Sequence, residues 1–159
     1  MAIRSAGILL YRMTASGLEI WLAHMGGPFW AKKDAGAWSI PKGEYLEDED
    51  ALAAALREFA EEIGSPAPAV EYTRLGDFRQ SSGKIVTAFA AETDFAVETI
   101  ASNTFPLEWP PRSGSIQDFP EIDDARWLPI AEARVKVVKG QLAILDAAQR
   151  RANGTGGVQ

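Results

Sequence analysis

The most constraining feature of the sequence is the stretch from residue 41 to residue 65, PKGEYLEDEDALAAALREFAEEIGS. Pro41-Lys42-Gly43 opens it with a rigid-then-flexible turn. An alanine-rich helical run follows and closes at Gly64, the residue type that best takes the left-handed conformation at a helix C-terminus. Residues three and four apart share a helix face, so Glu58, Glu61 and Glu62 form one carboxylate cluster. Like charges at that spacing repel by a few tenths of a kcal/mol per pair. Three over one turn therefore want a cation, and hard carboxylate oxygens favour Mg²⁺ or Mn²⁺. Leu52, Leu56, Phe59 and Ile63 recur at i, i+4, i+7 and i+11 as the apolar stripe that packs on a sheet. On the carboxylate side stand the small residues Ala51, Ala54 and Ala55, leaving room for a backbone to approach. The expectation is that Pro41-Lys42-Gly43 folds back over the cluster, with Gly43 nearing the metal where a Cβ would interfere.

A solvated acidic helix face is the alternative, and the spacing argues against it. Gly43 is followed after five residues by Glu49, then after seven by Arg57-Glu58, Phe59, and after one more by Glu61-Glu62, with Gly64 two positions on. At average residue usage this pattern arises by chance in such a chain on the order of once in a million. The stretch resembles the Nudix box, the metal-binding helix of the Nudix hydrolases. Only the last box position departs, where the family usually has an aliphatic residue and this chain has Ser65. The resemblance implies that Glu58, Glu61 and Glu62 bind divalent metal, and that Glu49 and Arg57 form an ion pair orienting them.

A length of 159 residues with 47% hydrophobic and 24% charged content suits one globular domain, expected over residues 1–151 with a disordered tail at 152–159. The net charge of −6 argues against a nucleic-acid or membrane-surface partner, and an acidic protein acting on polyphosphate would depend on metal to offset repulsion. Without cysteine, disulfides, zinc thiolate sites and cysteine nucleophiles are excluded. No apolar run reaches membrane-spanning length and the N-terminal run is too alternating for a signal peptide, so a cytoplasmic protein is expected.

Taken in order, residues 3–12 and 18–24 read as a hairpin around Ala15-Ser16-Gly17. His24, the only histidine, reads as a polar contact rather than a catalyst. The Gly-rich segment 25–37 sets Phe29 and Trp30 beside Lys32 and Lys33, a combination that can stack a base and neutralise phosphate. Residues 37–40 form a short strand leading to Lys42, placed to touch a substrate phosphate. Residues 70–80 and 84–93 read as a second hairpin, the latter with both faces partly apolar. The segment 102–120, with four prolines, Trp109 and Phe119, reads as an ordered loop or lid. A strand at 125–130 and a helix from 131 to 151, broken near 138–140, complete the domain.

Strands around one metal helix, plus a C-terminal helix, fit the Nudix α/β/α sandwich with a mixed sheet. Within the family the chain looks most like the asymmetrical dinucleoside tetraphosphate hydrolases. The phrases carrying that likeness are Ser5-Ala6-Gly7, Trp38-Ser39-Ile40-Pro41-Lys42-Gly43, Gly83-Lys84 ahead of Ala91-Glu92, and Pro120-Glu121 ahead of Trp127-Leu128. The resemblance implies that Glu121 reaches the metal site from a loop and that Lys84 contacts a phosphate. A tyrosine common in that subgroup is replaced around Ser81-Ser82-Gly83, leaving Phe78 as the nearest aromatic. The implied chemistry is Mg²⁺- or Mn²⁺-assisted hydrolysis of a nucleoside diphosphate linked to another group, with Glu62 or Glu121 as base. Removal of pyrophosphate from nucleoside triphosphates is the alternative reaction. A nucleotide-sensing module without catalysis is the alternative class, and the intact box argues against it.

Overall fold

The architecture is built on strands whose alternate residues are apolar toward opposite faces. In the computed structural model, which describes residues 3–156, β1 (Arg4–Thr14) and β2 (Gly17–Met25) pair antiparallel from Leu10↔Trp21 to Thr14↔Gly17. The short strands β3 (Trp38–Ser39) and β4 (Lys42–Glu44) add to β2 and β1 respectively. Helix α1 (Ala51–Ile63) then crosses over, and β5 (Thr73–Arg79) and β6 (Ile85–Glu92) form an antiparallel pair whose β6 runs parallel to β1. A separate two-stranded hairpin, β7 (Thr104–Glu108) and β8 (Ile116–Pro120), precedes β9 (Ile122–Pro129), which returns to pair with β2. Helices α2 (Ile130–Lys136) and α3 (Leu142–Gly156), joined through a 3₁₀ turn at Lys139–Gln141, end the described chain. The result is a seven-stranded mixed sheet in the order β3-β2-β1-β6-β5, with β4 on β1 and β9 on β2.

Period-two alternation divides the core between the two sheet faces. Ile8, Leu10, Trp21 and Phe89 pack with Ala54, Ala55, Phe59 and Ile63 of α1, Trp21 stacking on Phe59 at 5.7 Å. Leu9, Ile20, Leu22, Val86 and Ala88 pack with Ile144, Leu145 and Ala148 of α3. The expected α/β/α sandwich with a mixed sheet is observed, and β6 is buried on both faces. Helix α1 begins at Asp50, whose carboxylate accepts from the Ala53 N–H at 3.0 Å. It stops at Gly64, where φ is 83° and the N–H reaches the Ala60 carbonyl.

Four expectations need correction. The buried stripe of α1 centres on Ala54, Ala55, Phe59 and Ile63, while Leu52 and Leu56 are only partly covered, because the alanines let the helix approach the sheet closely. Lys42–Glu44 is a strand rather than a loop, completing the edge of β1. Residues 104–120 form a hairpin rather than an irregular loop, with prolines at 106 and 120 accommodated on a two-stranded ribbon. Helix α3 runs to Gly156, past the expected end of order at residue 151, with Ala152 buried; residues 157–159 of the expected tail lie outside the described residues.

Candidate active site

β4 and α1 meet at Gly43. Its Cα lies so close to Glu58 that an added Cβ would fall 1.7 Å from Glu58 Oε1 and 2.1 Å from Cδ. One residue back, the Lys42 N–H donates to Glu62 Oε1 at 3.0 Å. The strand thus holds two carboxylates of the helix, one by leaving space and one by a hydrogen bond. Arg57 holds the outer side: Nε donates to Glu49 Oε2 at 3.0 Å and Nη2 to Glu49 Oε1 at 3.1 Å. Nη1 reaches Glu58 Oε2 at 2.5 Å and Glu61 Oε1 at 3.5 Å. A fork of this kind fixes carboxylate orientation better than a point charge would.

Glu121 comes from the opposite direction, at the corner between β8 and β9. Its carbonyl accepts from the Gly26 N–H at 2.8 Å and its N–H donates to the Asn103 carbonyl at 2.9 Å. Asn103 in turn donates to the Glu61 carbonyl at 3.0 Å, so the hairpin is tied to the last turn of α1. Phe105 of β7 lies over Gly27, where an added Cβ would meet its ring at 2.7 Å.

A cavity of about 490 Å³ opens between these elements. Glu58, Glu62 and Glu121 line it with Lys42 and Gly43; Lys84, Trp30, Phe105, Ser5 and Ser39 complete the parts that concern the chemistry. Lys84 Nζ stands 3.5 Å from Glu44 Oε2. Burial pushes the Glu62 carboxyl up to about 7, against the opposing effect of the Lys42 N–H and ammonium. Burial also raises Glu58, countered by Arg57 and reinforced by Glu61; burial and then Glu61 raise Glu121. The Lys42 amine is pulled below the lysine range by burial, with Glu62 acting in the opposite sense. The carboxylates therefore repel one another in a poorly solvated place.

Glu61 points past the cavity toward Arg57 and is not among its lining residues. Lys32 is exposed, and Lys33 lies 5.2 Å over the Trp30 ring with its carbonyl beside His24. The turn closed by the Trp30 and Ala31 N–H groups on the Gly27 carbonyl directs Trp30 inward and the lysines outward. Phe78 of β5 packs on the α3 side of the core, outside the cavity lining, and Trp109 contacts Phe29 at 5.4 Å. His24 bridges Asp123 Oδ1 and the Lys33 carbonyl, each at 2.7 Å, as a polar contact. Sequence reasoning missed Phe105 and gave Ser5 no role. A larger cavity of about 970 Å³, lined by Ile3, Arg4, Tyr45 and Leu46, shares Glu44, Glu49 and Arg57 with this region but holds none of the cluster carboxylates.

The sequence profile of the NUDIX domain matches residues 1–148. The chain therefore belongs to the Nudix domain family, and with it to the pyrophosphohydrolases. No curated protein sequence matches it closely enough to count as a relative. Among solved structures, the NUDIX domain of Shewanella oneidensis NrtR complexed with ADP ribose matches with a TM-score of 0.63 at 17% identity, covering 96% of this chain and 89% of that one. A Caenorhabditis elegans Ap4A hydrolase binary complex gives 0.63 at 20% identity, covering 94% and 98%. A mutT/nudix family protein from Listeria innocua gives 0.62 at 18%, covering 96% and 94%. At these identities the likeness is one of fold. Among the described residues, no helix is long and apolar enough to cross a membrane.

Proposed function

We propose that this pyrophosphohydrolase cleaves a phosphoanhydride bond in a nucleoside diphosphate linked to a second group, a dinucleoside polyphosphate such as diadenosine tetraphosphate, with Mg²⁺ or Mn²⁺. The observation that carries the reading is one cavity joining three carboxylates, two lysines and the Trp30 ring. The carboxylates suit a hard divalent ion, and their mutual repulsion gives it something to neutralise. Among the described residues no three acidic side chains stand close enough to hold an ion by themselves, so a bound Mg²⁺ would take few protein ligands and keep several waters. Glu58, Glu62 and Glu121, which line the cavity, are the residues that would hold it, and Glu61, which faces Arg57, would join them only by leaving that contact. When bound, the ion neutralises phosphate oxygens and acidifies water.

Arg57 restrains Glu58 and Glu61, and the Lys42 N–H restrains Glu62, so the donors are oriented before substrate arrives. The Lys42 and Lys84 ammoniums offset charge on the phosphate chain, while Trp30 and Phe105 supply rings for a base. Glu62 is engaged by a backbone N–H. Glu121 carries no hydrogen-bond donor on its carboxylate among the described residues, and Glu62 or Glu121 is the group that accepts a proton from attacking water. The resemblance of Ser5-Ala6-Gly7, Trp38 to Gly43 and Pro120-Glu121 to the dinucleoside hydrolases supports the substrate assignment.

The test is a product screen with Mg²⁺ and with Mn²⁺ over diadenosine polyphosphates, nucleoside triphosphates and ADP-ribose. ATP plus AMP from diadenosine tetraphosphate at the highest kcat/KM is the expected result. A nucleoside triphosphate as best substrate replaces the substrate assignment with pyrophosphate removal. Binding without turnover of any of them sinks the catalytic reading.

A further inference from the structure

We propose that Ser5 is a substrate-binding residue whose hydroxyl donates to a phosphate oxygen of the bound nucleotide, between Lys42 and Lys84. This rests on reading the cavity as a nucleotide polyphosphate site. Ser5 is the second residue of β1, is 1% exposed, and lines the cavity. Its Oγ is the one buried side-chain polar atom among the described residues with no hydrogen-bond partner. A buried hydroxyl left unpaired is unfavourable, and a buried strand position is served as well or better by an apolar residue. The neighbouring Ser39 makes the contrast: its hydroxyl donates to the Ile40 carbonyl and accepts from Gln141 Nε2.

The register says what the orphan faces. Residues directly opposite on adjacent strands share a sheet face, so Ser5, its β4 partner Glu44 and its β6 partner Val86 point the same way. Lys42, two positions before Glu44, lies on that face opposite Gly7, whose bare Cα leaves its neighbour's side chain room: an added Cβ would come within 2.9 Å of Lys42 Cβ. Lys84, two positions before Val86, reaches the same face and comes within 3.5 Å of Glu44. A group resting above Ser5 therefore has the Lys42 and Lys84 ammoniums diagonally on either side and Glu44 opposite, drawn to Lys84 at 3.5 Å, and the two cations favour an anion there. No histidine or carboxylate hydrogen-bonds Ser5 Oγ among the described residues, so nothing activates it as a nucleophile. Its part is to donate to phosphate.

The test compares Ser5→Ala and Ser5→Cys with the wild type, using Mg²⁺–diadenosine tetraphosphate and Mg²⁺–ATP, which share the phosphate chain. Cysteine nearly preserves the volume but is a weak donor. Both variants are expected to raise KM about tenfold and leave kcat within about twofold. Ser5→Ala is also expected to hold or raise the Tm of the free protein, since an unpaired buried hydroxyl is removed. Unchanged KM in both variants overturns the proposal, and so does a marked fall in Tm with Ser5→Ala, which would make the hydroxyl structural. Glu62→Gln, measured alongside, separates the two readings. If it is inactive while Ser5→Ala is indistinguishable from wild type, only the role of Ser5 falls. If Glu62→Gln turns over normally, the site reading falls and the role of Ser5 with it.

Discussion

Helix α1 and the β7–β8 hairpin feed the same cavity from two sides, and they are made by different physics. The carboxylates of α1 are set by spacing within 13 residues of helix, and its ends are set by Asp50 and Gly64. Glu121 owes its position to contacts distant in sequence: Gly26 on its carbonyl, Asn103 on its N–H, and Asn103 on the carbonyl of Glu61. The first region stores its geometry locally, the second in tertiary packing. Function can therefore be lost from α1 without harm to the fold, whereas disturbing the base of the hairpin touches both.

The largest expected effect tests the α1 side. Glu62→Gln is expected to lower kcat/KM roughly 10³-fold with Mg²⁺ while the circular dichroism spectrum stays unchanged. Near-wild-type turnover in the folded variant would remove Glu62 from the chemistry.

A pair of glycine substitutions sharpens the contrast. In Gly43→Ala the new methyl meets Glu58 from Oε1 at 1.7 Å to Cγ at 2.6 Å, a side chain that must turn away as a whole but involves no backbone. Activity is expected to fall about 10²-fold, the usual cost of displacing a catalytic group by an ångström, with little change in Tm. In Gly26→Ala the methyl falls 2.2 Å from the Pro120 carbonyl oxygen, which is backbone and cannot step aside alone. Glu121 moves with it, so a comparable loss of activity should come with a lower Tm. Equal Tm changes in the two variants would erase the proposed difference between the regions.

This division also explains what was legible in the sequence. Helix period and glycine geometry are local rules, so the shared face of Glu58 and Glu62 and the close approach of Gly43 are legible in the spacing, whereas Glu61, expected in the same cluster, turns to Arg57. The segment 102–120 reads as a loop because four prolines interrupt it, although Phe105 and Leu107 alternate with exposed neighbours along β7. Phe105 belongs to that alternation, but only its position over Gly27 brings it to the cavity. The lysines at 32 and 33 looked like phosphate ligands by composition, but a single turn rotates Trp30 inward and leaves them outside the cavity.

A smaller effect is expected at the aromatic wall. Trp30→Ala should raise KM for diadenosine tetraphosphate about tenfold, in line with the worth of one base stacked on an aromatic ring. If Trp30 holds the second base, KM for ATP should move much less, and equal shifts would argue against that placement.

The last effect is thermodynamic and isolates the α1 side from turnover altogether. Burial raises the folded-state pKa of Glu62 to about 7 from an ordinary value of 4.5, and Glu58 and Glu121 are raised in the same sense. A carboxyl whose pKa is raised on folding binds more protons folded than unfolded between those values, so stability falls as pH rises through that window and levels off above it. For Glu62 the loss is at most about 3 kcal/mol, since each unit is worth about 1.4 kcal/mol and partial solvation reduces it. The metal-free protein in EDTA should lose several degrees of Tm between about pH 5 and pH 7.5. Mg²⁺ competes with the protons and stabilises the ionised cluster, so its effect on Tm should grow across the same window. Glu62→Gln has no carboxyl to ionise at that position and should flatten the metal-free pH dependence while the hairpin stays folded. A profile as steep as that of the wild type would place the buried charge elsewhere than on Glu62.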